Sequence, residues 1–358
     1  MTAASTTSAA TARARGRLGE GRALPRWFTW AALVGSTVVG TAIARALGGG
    51  IIAAVVLSLL VFVAASTAIS LAVEGSRKAT DRLATTAVTA AFGVTMVPLV
   101  SLLVIVVSRG AARFDGTFFT NSMRGVVGAG GGAYHAILGT LIVTLIATLI
   151  SVPIGLFTSV YLVEYGTGRL AKAITFLVDV MTGIPSIVAG LFAFALFALL
   201  TNDPGYRSGL AGAVALSVLM IPVVVRSTQE MLALVPNELR EAAYALGVPK
   251  WATIVKVVVP TALAGIVTGV TLAIARVIGE TAPLLITAGF ATSTNTDALA
   301  NRMSTLPVFI YSQFTQPGVP PQAGIDRAWT AALVLILIVM ALNLVARIVS
   351  RIFSPKKA

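Results

Sequence analysis

The chain has 358 residues, 57% of them hydrophobic and only 11% charged, with a mean hydropathy of +0.93 and a formal net charge of +13. Soluble domains carry about 25% charged residues, so this composition indicates an integral membrane protein. There is no cysteine, one histidine (His135) and no GxxxxGK[ST] stretch, which excludes disulfides, Cys-ligated metals, the usual His-based metal sites and a P-loop, and leaves little room for a Ser-His-Asp hydrolase.

Residues 1–26 are rich in Ala, Ser, Thr and Arg without apolar periodicity. They predict a disordered basic tail, and no short apolar core with a cleavage site marks them as a signal peptide. Eight apolar segments follow, near 27–47, 50–73, 84–108, 135–163, 174–200, 208–226, 258–288 and 328–349. Each is long enough to cross roughly 30 Å of hydrocarbon. The first two form a hairpin over residues 27–73, joined through "ALGGG"; Pro153 lies inside the fourth, and Gly279 and Pro283 interrupt the seventh. The expected fold class is an all-α polytopic membrane protein.

Lys and Arg set the orientation. With a cytoplasmic N-terminus, 18 of the 26 basic residues, including all six lysines, fall on the cytoplasmic side, seven arginines fall outside, and Arg276 lies within a span. Both termini are then cytoplasmic, and the basic charge reflects topology rather than nucleic-acid binding. The outer segments "FDGTFFTNSMRGVVGAGGGAY" and "LPVFIYSQFTQPGVPPQAG" mix aromatics, Gly and Pro, as re-entrant or surface segments do. His135 is expected at the outer surface in a capping or interfacial role. Asp179 is expected near a helix N-terminus, where an acid suits the dipole. The Gly-rich run before Tyr134 is expected to be a flexible loop, the alternative being an anion received at the N-terminus of the helix that follows.

The longest internal cytoplasmic loop, at about 227–257, is no plain connector. Pro236 suits the first turn of a helix over 237–246, Gly247 suits its C-terminal stop, and Pro249 opens a second helix leading into the next span. Leu239, Ala242, Ala243 and Leu246 give a small apolar face at i, i+3, i+4, i+7. Such a helix either docks on a partner or lies on the lipid surface.

The stretch "EAAYALGVPKWATIVKVVVP" resembles the EAA loop of ABC-importer permeases, through Glu241, Ala242, Ala243, Gly247, Ile254 and Pro260. In that family the loop inserts into a separate ATPase subunit, which implies that Glu241, Ala242, Ala243 and Gly247 form the ATPase-coupling contact. "RVIGETAPLLITAG" is similar to the RxxGETAPLL pattern of phosphate-importer permeases of the PstA type. "GGGAYHAILGTL", "VPIGLFTSVYLVEYG", "GIPSIVAGLFAF" and "LPVFIYSQF" resemble the same subunit, although Tyr134 and His135 depart from the smaller or Asn-like residues expected there.

The resemblance covers about 84–352. It implies a type I importer core of six transmembrane helices, with two extra N-terminal helices and the tail outside the pattern. It implies a homologous PstC-type permease subunit, two PstB-type ATPase subunits and a PstS-type phosphate-binding protein as partners in a bacterial inner membrane. ATP and Mg would belong to the ATPase, so the chain would bind no cofactor and be no enzyme.

The resemblance also places Arg276 and Glu280 in the translocation path, with Thr281 adding a hydroxyl. Four residues apart on one helix, Arg276 and Glu280 would share a face and could pair, and a guanidinium matches phosphate oxygens bidentately. The competing reading is a structural ion pair, or an Arg reaching to the outer surface. The rival functions are a permease for sulfate or molybdate, an anion transporter driven by an ion gradient, and a membrane receptor or scaffold.

Overall fold

The structure, a computed structural model, describes residues 24, 25 and 27–353; the predicted tail lies almost wholly outside the described residues. Helices dominate, and no strand occurs among the described residues. Seven helices are long and apolar enough to cross a membrane, or eight if one sharply bent pair counts as a span. The chain divides into two compact units, Met1–Leu103 and Val104–Ala358.

In the first unit, α1 (Phe28–Ala46) and α2 (Ile51–Glu74) form the hairpin. Ser36, Gly40 and Ala44 are the buried residues of α1, spaced four apart. A Cβ added at Gly40 would lie 2.3 Å from the Ser58 Cα, so the two backbones nearly touch. Small residues permit this approach, and close van der Waals packing is what holds helices together in lipid. Helix α3 (Ser76–Gly110) begins eight residues before the predicted third span and contributes to both units.

The second unit is organised on α5 (Tyr134–Val160) and α8 (Gly209–Ala233), with the five-residue α4 (Gly116–Thr120) ahead of them. A Cβ at Gly155 would meet Val224 Cγ1 at 2.5 Å. The Ser159 hydroxyl donates to the Val225 carbonyl across the interface (2.9 Å). Val143, Ala147, Ala213, Leu216, Met220 and Val224 fill the seam between them. Helix α11 (Val259–Val277) joins the seam through Gly265 against Met231 and Gly269 against Ser227.

Two predicted spans are not continuous. The segment 174–200 is divided between α6 (Gly168–Thr182) and α7 (Ser186–Thr201), which meet at 109°. Pro185 supplies no N–H and forces Ile184 out of helical geometry, so "GIP" stops α6. Helix α7 alone has 16 residues, about 24 Å at 1.5 Å per residue. The segment 258–288 stops at Val277, just before the Gly279 expected to interrupt it, and a separate short helix, α12 (Ala282–Thr287), follows.

The segments between spans are packed rather than loose. The Gly-rich run is tied by its carbonyls: Arg327 Nη1 donates to Gly128 O (2.9 Å) and Gly130 O (3.1 Å), and Arg113 Nη2 to Gly131 O (3.1 Å). The run is therefore a pinned loop, not a flexible one. Helix α13 (Leu306–Thr315) sits on the start of α5, with the Leu306 amide bonded to Thr140 Oγ1 (2.7 Å). His135 is buried at 2% exposure, edge-on to Phe309 at 5.4 Å, instead of capping at the surface. The long α14 (Pro321–Phe353) closes the unit.

Gly155→Leu is expected to force α5 and α8 apart and to destabilise the protein by about 1–3 kcal/mol or more, the range for overpacking. A thermal unfolding midpoint in detergent unchanged from wild type would contradict this account of the seam.

Candidate functional site

The predicted coupling loop begins where α8 ends. Pro236, extended at ψ 141°, precedes α9 (Asn237–Ala245). The helix then stops in two bonds: Gly247 N to Tyr244 O (2.9 Å) and Val248 N to Ala243 O (3.1 Å). This is the Schellman arrangement, and it needs a left-handed residue after the cap; Gly247 has φ +77°. Pro249 precedes α10 (Lys250–Thr253), which runs through a π turn (Ile254–Val258) into α11. The predicted helix, glycine stop and second helix are all present, the first helix ending one residue early.

Of the four residues assigned to the coupling contact, Glu241, Ala242 and Gly247 are exposed, while Ala243 is buried. The predicted apolar face therefore divides. Ala243 packs inward, whereas Leu239, Ala242 and Leu246 point away from the rest of the chain, Leu246 with 85% of its surface exposed. Tyr244 and Trp251 are exposed beside them.

Arg240 holds this loop in place. Its Nη2 and Nε donate to Glu164 Oε1 (2.8 and 3.1 Å), its Nη1 to Val235 O (2.6 Å), and its Nη2 also to Leu232 O (3.0 Å). The Leu232 and Val235 carbonyls lie where α8 ends, and a cation suits carbonyls left without helical donors. Glu164 belongs to a π turn (Tyr161–Tyr165) that prolongs α5. From the other side of the Gly247 turn, Lys250 Nζ donates to the Glu164 carbonyl and sits 4.6 Å from the Tyr165 ring centroid. Glu164 stands in one of the stretches that carried the family resemblance, yet sequence reasoning gave it no role. Its partner is 76 residues away, and no local spacing connects them.

The predicted pathway residues are less closely assembled. Arg276 is exposed in the last turn of α11, and Glu280 and Thr281 are partly buried in the break that follows. The ion pairs among the described residues are Arg82–Glu74, Arg113–Asp115, Arg226–Asp179 and Arg240–Glu164; Arg276–Glu280 is not one of them. The helix ends at Val277, so the four-residue spacing no longer places both on one helical face. Thr281 opens onto a recess of about 560 Å³ lined by Ala282, Leu285, Pro307, Ile310, Tyr311 and Phe314, an apolar surface. Pro283 lies against α7, because a Cβ at Gly190 would meet Pro283 Cα at 2.6 Å. Asp179, expected at a helix start, instead lies well along α6 and bonds to Arg226.

A family model for the binding-protein-dependent transport system inner membrane component matches residues 151–358. The chain is 49% identical over 277 residues to the phosphate transport system permease protein PstA 1 of Mycobacterium tuberculosis, covering 76% of this chain and 88% of that protein. It is 42% identical to PstA of Pasteurella multocida over 258 residues, 72% of this chain and 88% of the relative. The chain belongs to the PstA family. Among solved structures, a bacterial ABC transporter involved in import of the acidic polysaccharide alginate superposes with a TM-score of 0.52. That match has 14% identity and covers 76% of this chain and 96% of the other, a likeness of fold alone. The protein is thus an all-α, multi-pass permease subunit with the fold of ABC-importer permeases.

Gly247→Val places a β-branched residue at a positive φ, a cost of about 1–2 kcal/mol, although no atom lies within 4 Å of the new Cβ. The expected result is faster amide exchange confined to residues 237–253, with Gly247→Asn close to wild type. Unchanged exchange in the valine variant would count against the left-handed cap.

Proposed function

We propose that the chain is the transmembrane permease subunit of an ATP-driven inorganic phosphate importer, forming half of the translocation pathway. The observation that carries this reading is the protruding α9–Gly247–α10 turn, with Glu241, Ala242 and Leu246 exposed, on a chain whose relatives are PstA permeases. One of two PstB-type ATPases would seat on this turn in the cytosol and hydrolyse ATP there; the permease itself performs no bond chemistry. A PstC-type subunit completes the path, and a PstS-type protein delivers phosphate to the outer segments. Both termini then face the cytoplasm of a bacterial inner membrane, as the basic residues suggest.

Arg276, Glu280 and Thr281 serve the pathway in this reading. The exposure of Arg276 and the absence of a carboxylate partner for it among the described residues leave its guanidinium free for an oxyanion or for the second permease subunit. Glu280, in the break after α11, keeps the site from holding phosphate too tightly, since a conducting site must also release. A broken helix leaves backbone groups without helical partners, which lipid forbids and a pathway permits.

The deciding experiment is uptake of labelled phosphate at micromolar concentration by cells lacking the chain and by cells with it restored, with sulfate in parallel. Phosphate uptake should fall and return while sulfate uptake stays constant; a response to sulfate alone would overturn the substrate assignment. Arg276→Gln is expected to abolish phosphate uptake while the complex still assembles. Glu241→Lys should remove ATP-coupled uptake without loss of membrane insertion, and normal coupled uptake in that variant would contradict its role.

A further inference from the structure

We infer that Glu164, Arg240 and Lys250 form a strut that delivers movement of the coupling loop to helix α5. The inference rests on the reading of residues 237–249 as the ATPase contact and adds the route by which that contact acts.

The covalent chain connects the loop to only two spans. One end leads back through Val235 and Pro236 into α8, and the other leads through the π turn into α11. Helix α5 has no covalent link to the loop, yet both arms of the loop converge on its cytoplasmic-side end. Arg240, from α9, grips the Glu164 carboxylate with two donors, and Lys250, from α10, bonds the carbonyl of the same residue. Arg240 also binds the carbonyls of Leu232 and Val235. A single guanidinium thus joins α9, the end of α8 and the end of α5.

The chemistry suits a stiff connection. The Arg240 and Glu164 side chains keep only 13% and 6% of their surface exposed. Charge-assisted bonds from a planar guanidinium fix direction as well as distance. An exposed ion pair would yield to solvent under load; a buried one stripped of a partner strands a charge, so the pair stays closed. At its other end α5 carries Thr140, which bonds the start of α13. The 27 residues of α5 span about 40 Å at 1.5 Å per residue. Helix α5, with Pro153 inside it, is thus the one element that links the strut to α13 on the opposite side of the unit. Glu164, Arg240 and Lys250 are positioning residues; none need touch phosphate.

The test uses the complete importer in proteoliposomes, with its ATPase and its phosphate-binding protein. Three quantities are read: the ATPase retained on purification, ATP hydrolysed, and phosphate imported per ATP. Glu164→Gln keeps the shape and removes the charge. It is expected to retain the ATPase and its hydrolysis while importing at least 10-fold less phosphate per ATP, with Arg240→Lys intermediate. Because the chain has no cysteine, E164C/R240C joined by a short bis-thiosulfonate linker replaces the strut covalently. Linking is expected to restore the import ratio that the unlinked double variant lacks. A wild-type ratio in Glu164→Gln overturns the strut. So does a confirmed crosslink that restores nothing, or a loss of import that merely follows loss of the ATPase. Failure of the wild-type complex itself to import phosphate or to retain the ATPase would instead overturn the proposed function.

Discussion

The second unit depends on how closely α5 and α8 approach. In lipid the hydrophobic effect does not press helices together, so contact must come from shape. Gly155, Ala147, Ala213 and Ser217 remove bulk along the seam, and Gly155 leaves room for the Val224 side chain. Serines then fasten the backbones across the seam: the Ser159 hydroxyl donates to Val225 O (2.9 Å) and the Ser217 hydroxyl to Ala147 O (3.5 Å). With that pair fixed, α11 seats on α8 through Gly265 and Gly269, and the remaining helices find their places around the three.

Against this rigid seam stand the elements that are deliberately short or interrupted. Gly183–Pro185 turns α6 away from α7, and the turn after Val277 separates α11 from α12. The two interrupted regions meet, since Gly190 of α7 lies against Pro283 of α12. Both breaks fall in stretches that share the family's sequence pattern. A transport path needs backbone polar groups that face a cavity instead of their own helix, and breaks in otherwise apolar spans provide them.

Much of this was legible from residue order. Runs of twenty apolar residues announce spans because few other structures tolerate them. The α9 turn was legible because proline and glycine have strong local preferences, and Pro236, Gly247 and Pro249 act within a few residues of themselves. The "GIP" break was written in the sequence too, but an apolar run on both sides of it reads as one span by hydropathy. Arg276 and Glu280 do not pair, because spacing gives a shared face only while the helix continues and this one ends at Val277, just before Gly279. The burial of His135 against Phe309, and the Glu164–Arg240 pair, depend on tertiary placement across 174 and 76 residues, which no periodicity records.

The exposed tip of the α9–Gly247–α10 turn has a consequence for the life of the subunit when nothing covers it. Leu246, Trp251 and Tyr244 present an adhesive surface to the aqueous compartment on which the loop opens. Such a surface invites chaperones, proteases or self-association when nothing covers it. In the proposed importer, a permease made in excess of the ATPase would therefore be an orphan marked for clearance at the very tip that docking would cover. In that reading, docking acts as a census of subunits, keeping permease and motor in matched numbers.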